Sequence, residues 1–137
     1  MAHSLQLARS TADAIMDAFG ARFDGGYLRL YAGKRPVNAD IPADPLLLLA
    51  ELRFGRPAFR ASADGVIVAR SMEAEPLARY SDTATWYRAL TPAEVPIVDG
   101  TVGQVGGEGF DLELETTELV SGAIVSMISF AYTHPLA

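Results

Sequence analysis

Hydrophobic and polar positions follow two periods along this chain, and the switch between them falls at Asp24-Gly25-Gly26. Over residues 4–20, Leu5, Ala8, Ala12, Ile15, Met16 and Phe19 recur three and four apart. That spacing predicts an amphipathic helix with one apolar stripe. Ser4 is placed to cap its start and Gly20 to end it. Gln6, Arg9, Asp13 and Asp17 fall opposite the stripe and read as its solvated face, with Arg9 beside Asp13.

From residue 27 the period is two, the mark of strands. Leu28 and Leu30 alternate with Tyr27, Arg29 and Tyr31. Leu48, Ala50, Leu52 and Phe54 alternate with Glu51 and Arg53, and Leu112 and Leu114 with Asp111, Glu113 and Glu115. Residues 83–90 are strand-like. Between the first two runs, residues 33–45 hold three prolines without periodicity, which predicts a long loop. Asp64-Gly65 and Asp99-Gly100 each separate strand-like runs and suit type I′ hairpins, which need positive φ at both central residues. Residues 100–109 contain five glycines in ten and read as flexible or bulged. Ser121-Gly122 turns the chain into a last strand.

That last strand poses a question. One of its faces carries Ile124, Ser126, Ile128, Phe130 and Tyr132; the other carries Ala123, Val125, Met127, Ser129, Ala131 and Thr133. Both lean apolar, whereas a strand with one wet face alternates. Either the chain's own helix or a second subunit is expected to cover the other face. The whole pattern predicts about eight short strands behind one helix. We read it as a mainly β fold: an antiparallel, jelly-roll-like β-sandwich with one N-terminal amphipathic helix. A single domain is expected over 1–137, with the helix at 4–20 and the sandwich at 27–137.

Composition narrows the function classes. The 137 residues contain no cysteine, which excludes disulfides and thiolate chemistry. No apolar run approaches the roughly 20 residues of a membrane span, and the first residues lack a signal-peptide pattern, so a protein made and used from the cytoplasm is expected. The net charge of −6 argues against nucleic-acid binding. Residues 1–70 hold nine basic and seven acidic side chains, residues 71–137 two and ten. This split either favours contact with a differently charged neighbour or is drift on a solvated surface.

Chemistry-bearing residues are sparse. His3 and His134 lie near the ends without ligand spacing, so no metal or cofactor is expected. No nucleophile elbow or phosphate loop is present. Glu113 and Glu115 read as the wet side of a strand rather than an acid/base pair. We therefore expect no enzyme. Trp86 reads as core and Tyr87 as an edge or interface residue, with a sugar-stacking platform as the rival reading. Arg53, Arg56 and Arg60 form a basic knot, either a solvated loop or a dock for an acidic protein surface.

The helix, "LRLYAGKRPVNAD", "LLAELRFGRPAF" with "ADGVIVA", "ATWYRAL" followed by "VDGTVG", and "DLELETTELVSGAIVSMISFAYTHP" together resemble the jelly-roll cement or decoration proteins of tailed-bacteriophage and prophage heads. The order and spacing of these pieces carry the resemblance. It implies a structural virion protein, assembled in the host cytoplasm, that sits on the capsid exterior and stabilises joints between major capsid subunits. It implies two partners, the major capsid protein and a second copy of the chain, and no nucleic acid or membrane. A symmetric dimer is the commonest closed form. Candidate interface residues are Arg53, Arg56, Arg60, Tyr87, Val125 and Met127. A tail or neck component and a carbohydrate-binding sandwich are the alternatives.

Overall fold

The computed structural model describes residues 6–72, 77–104 and 112–134. Ser4, Leu5, His3, Asp111 and the glycines at 106, 107 and 109 lie outside the described residues.

The helix α1 runs Arg9–Ala21, and Ala8 precedes it without a side-chain cap. Ala12, Met16 and Gly20 are buried, and Phe19 packs on the core beside them. Ile15, expected on the stripe, is 44% exposed. The buried arc centres on the Ala12–Met16–Gly20 row, one turn apart at each step, and Ile15 falls on its flank. Gly20 lies against Phe59 and Ile67.

Among the described residues nine strands follow: β1 Tyr27–Tyr31, β2 Leu48–Arg53, β3 Val66–Val68, β4 Asp82–Thr83, β5 Trp86–Leu90, β6 Pro96–Gln104, β7 Leu112–Leu114, β8 Glu118–Leu119 and β9 Met127–Thr133. Seven form one sheet in the order β2-β1-β5-β6-β7-β9-β3, and β4 pairs with β8. The architecture is mainly β and β-sandwich-like, with one helix at its N-terminal side. All pairings in the large sheet are antiparallel except β6 with β7.

The inward alternation is as expected: Leu28, Leu30, Ala50, Leu52, Phe54, Leu112 and Leu114 are all buried. Phe23, Phe54, Phe59 and Phe130 come from four separate segments and meet in the centre. Phe23 lies edge-on to Phe59 at 5.0 Å and to Phe54 at 5.4 Å between ring centroids. Phe54 stacks on Phe130 at 5.9 Å. These rings join the β2 flank of the sheet to its β9 flank, burying large apolar area at favourable ring angles.

The two-sided last strand has an intramolecular explanation. Along β7 and β9, Leu112 pairs with Phe130 and Glu113 with Ser129, but Leu114 pairs with Met127. Ile128 is the extra residue of a β-bulge, which shifts the alternation by one. Val125 and Met127 therefore face inward before the bulge, and Phe130 and Tyr132 after it. Ile128 is left 49% exposed. No second covering layer is needed for this pattern, so it no longer argues for a dimer.

Of the two predicted hairpin dipeptides, one forms. Asp64 and Gly65 both have positive φ, 53° and 76°, and Ala63 bridges Val66 across them. Asp99-Gly100 instead lies inside β6, where Asp99 pairs with Arg88 and Gly100 with Tyr87. Here glycine serves close packing: a Cβ at Gly100 would collide with the Tyr87 ring. Gly122, with φ 84°, makes the turn before the last strand.

Candidate functional site

The residues singled out from the sequence divide between two regions. The first is the outer face of β2, β1, β5 and β6. Arg29 and Arg88 sit directly opposite each other across β1 and β5. Arg29 donates through Nε to Glu51 at 2.8 Å and also pairs with Glu94. Arg88 donates to both oxygens of Asp99, at 2.7 and 3.0 Å. The Arg88–Asp99 pair is buried, with side chains 5% and 6% exposed. Burial works against the charge of Arg29, but its bonds to Glu51 and Glu94 outweigh that and raise its pKa. The Asp99 hydrogen bonds raise that of Arg88 against its own burial. Two like charges face each other here because each is neutralised on its far side.

Next to this row Tyr31 stacks on Trp86 at 4.4 Å, and Trp86 donates its indole N–H to the Ala32 carbonyl. Burial raises the Tyr31 pKa, with Arg29 and Arg88 opposing. Trp86 is 2% exposed. Tyr87, on the opposite face of the strand, is fully buried, edge-on to Phe130 and hydrogen-bonded to the Tyr132 hydroxyl. Both faces of β5 are thus covered, which corrects the interface assignment of Tyr87. It also leaves no sugar-stacking platform at this pair. Val125, 2% exposed, is likewise core rather than interface.

The second region is the corner made by the segment after β2 and the arms of the Asp64-Gly65 hairpin. Arg53 does not belong to it: its guanidinium lies over the Tyr27 ring, 5.1 Å from the centroid. Arg56 and Arg60 do, and Arg70 joins them. The three surround a concavity of about 380 Å³ with Gly55 and Ser71. Arg70 was not anticipated, but the hairpin signal contained it. Folding the chain back at Asp64-Gly65 bridges Phe59 to Ala69 and bonds the Arg70 N–H to the Ala58 carbonyl. That places Arg70 beside the strand end from which Arg60 projects.

Arg56 is held against Gly25, whose positive φ of 67° and missing Cβ leave room for the guanidinium. Arg60 borders two further hollows. One, about 270 Å³, lies under α1 with Gly20, Phe59 and Ile67 in its wall. The other, about 360 Å³, is lined by Val68, Met72, Met127 and Ile128. Met127 therefore stays with the arginine corner, partly buried.

Three described acids near this corner hold backbone N–H groups. Asp17 accepts from the Ser62 N–H at 2.8 Å, Asp13 from the Gly65 N–H at 2.8 Å, and Asp24 from the Ala58 N–H at 2.7 Å. Asp17 stays exposed as expected and Asp13 is half-buried; both also fasten the hairpin edge to the helix, and Arg9 pairs with Asp64 instead of Asp13. A covered edge is one way proteins protect unpaired strand groups. Among the described residues, no carboxylate lines the Arg56–Arg60–Arg70 concavity.

A third surface carries exposed apolar side chains. Leu77 bridges Ile124, in the same register that pairs β4 with β8. Leu77, Val120 and Ile124 are each more than half exposed. Glu113 is half-buried on β7 and Glu115 exposed, in line with a wet strand face. Among the described residues, no three His, Asp or Glu side chains converge as metal ligands would. His134 bonds its backbone N–H to the Gly65 carbonyl. No family model, curated protein or solved structure matches this chain.

Proposed function

We propose that this chain is a capsid cement or decoration protein of a tailed-bacteriophage head. It binds the outer surface of the icosahedral shell and stabilises joints between major capsid subunits. In this reading it acts by adhesion, not by turnover. The observation that supports it is the arginine corner: on a chain of net charge −6, Arg56, Arg60 and Arg70 gather around one hollow with no acidic partner lining it among the described residues. Arginine's planar fork suits an acidic protein surface. Many copies on a repeating shell convert modest single-site affinity into firm attachment.

A second copy of the chain is the other partner in this reading. The exposed apolar side chains Leu77, Val120 and Ile124 are the surface this reading assigns to a two-fold contact. Light scattering on the purified protein at micromolar concentration is expected to give a dimer that Ile124→Lys converts to monomer; a wild-type monomer removes this part.

Electron cryomicroscopy of intact particles tests the main claim. Density for the chain on the outside of the head supports it, and density on the tail or neck makes the chain a different virion component. Absence from particles ends the proposal.

A further inference from the structure

We propose that the Arg60 corner is a cleft for one extended peptide segment of the protein partner, with a side-chain carboxylate seated between Arg56, Arg60 and Arg70 and apolar side chains on both sides of it. This rests on the docking reading above and names the partner chemistry that the surface selects.

Three features carry it. Arg60 borders all three hollows, so the basic one lies beside the other two. Apolar side chains contribute to both flanking hollows, Phe59 and Ile67 to one and Met72 and Met127 to the other, beside polar groups of Asp17, Asp24, Ser71 and Ser129. A free phosphate would engage the arginines and leave those apolar side chains wet. A nucleic acid would bring many charges to a chain that is itself −6. A carboxylate with aliphatic neighbours satisfies both kinds of surface at once.

Among the described residues, no acid forms an ion pair with Arg56, Arg60 or Arg70. Asp17 and Asp24 border the hollow under α1, and one oxygen of each accepts the Ser62 or Ala58 N–H. Arg56 is also preorganised, because its guanidinium rests in the space Gly25 leaves. A donor already held in place loses less side-chain freedom on binding.

The test is an amide-shift titration of the isotope-labelled protein. The probe is a short, end-capped peptide with an aspartate and a glutamate between leucine and valine. The expected result is saturable shifts at the Gly55, Arg60 and Ser71 amides at millimolar peptide. The matching peptide with asparagine and glutamine should bind at least about tenfold more weakly, the effect of losing a charge-assisted hydrogen bond. Arg60→Gln and Arg70→Gln should weaken the acidic peptide by about the same factor, and Arg35→Gln, an exposed arginine on the 33–45 loop, should not. Absence of shifts with the acidic peptide, or equal binding of the neutral one, overturns the proposal. So does inorganic phosphate or a single-stranded oligonucleotide moving the same amides more strongly than the peptide. Because the titration uses the isolated protein, it separates from the particle experiment. Peptide binding without presence in particles keeps the cleft and removes the capsid role; the reverse keeps the role and removes the cleft.

Discussion

Arg88 and Arg60 are the same residue type in one small fold, and their surroundings give them opposite uses. Arg88 is 4% exposed and spends its fork on Asp99. Arg60 is exposed at the meeting of three hollows, with no ion pair to a described residue. The first holds a sheet together; the second is the one we propose engages a partner. A count of arginines cannot distinguish these cases, but the position of the nearest carboxylate does.

The comparison breaks most sharply at the buried pair. Arg88→Leu leaves Asp99 as a buried charge without its partner and is expected to cost about 3–5 kcal/mol. Replacing both members by leucine should recover much of that loss, because the desolvation cost of both charges goes with them. Urea unfolding of the single and double variants checks this; equal losses in the two would remove the pair from its structural role. Gly25→Ala comes next. It places a side chain at positive φ where Arg56 lies, with an expected cost of about 2 kcal/mol from backbone strain and crowding. The same variant should weaken acidic-peptide binding by displacing Arg56, and unchanged binding would show that Arg56 needs no such support.

Arg29→Gln is intermediate. Its side chain is 20% exposed and holds Glu51 and Glu94, so a loss of about 1–2 kcal/mol is expected, between an exposed and a buried pair. A smaller effect follows from Tyr31. Its folded pKa is raised by burial above the ordinary tyrosine value of 10.0. The unfolded chain therefore ionises there first. Stability from Tyr31 is whole below about pH 10 and falls as pH rises from there through the folded value. Urea midpoints at about pH 8 and 11 should drop further in the wild type than in Tyr31→Phe; parallel drops would contradict the assignment. The smallest change in stability is expected at the corner itself. Arg60→Gln and Arg70→Gln should stay within about 0.5 kcal/mol of wild type while losing peptide binding. A stability loss like that of Arg88→Leu would make them structural after all.

Much of the fold was legible in the residue pattern. Leu28, Leu30, Leu112 and Leu114 face inward as their alternation predicts, and Asp64-Gly65 turns as its chemistry predicts. Asp99-Gly100 carried the same local signal and did not turn. Its carboxylate is taken by Arg88 and its glycine makes room for Tyr87, both demands from the neighbouring strand. The last strand misled for a similar reason, since the bulge at Ile128 exists only in its pairing with β7. Of the corner, Arg56, Arg60 and Met127 were marked by the sequence. Arg53 turned away to Tyr27, and Arg70 entered through the hairpin.

What this sequence determines alone is therefore local: which segments are helical or extended, which side of a strand is greasy, and where glycine permits a turn. Those properties depend on a few adjacent residues and on φ. Only the tertiary structure decides which arginine finds a carboxylate, because each partner arrives from another strand in a register that a single extra residue can shift. The same cross-strand geometry closes Tyr87 and Val125 into the core and leaves Arg56, Arg60 and Arg70 facing outward together.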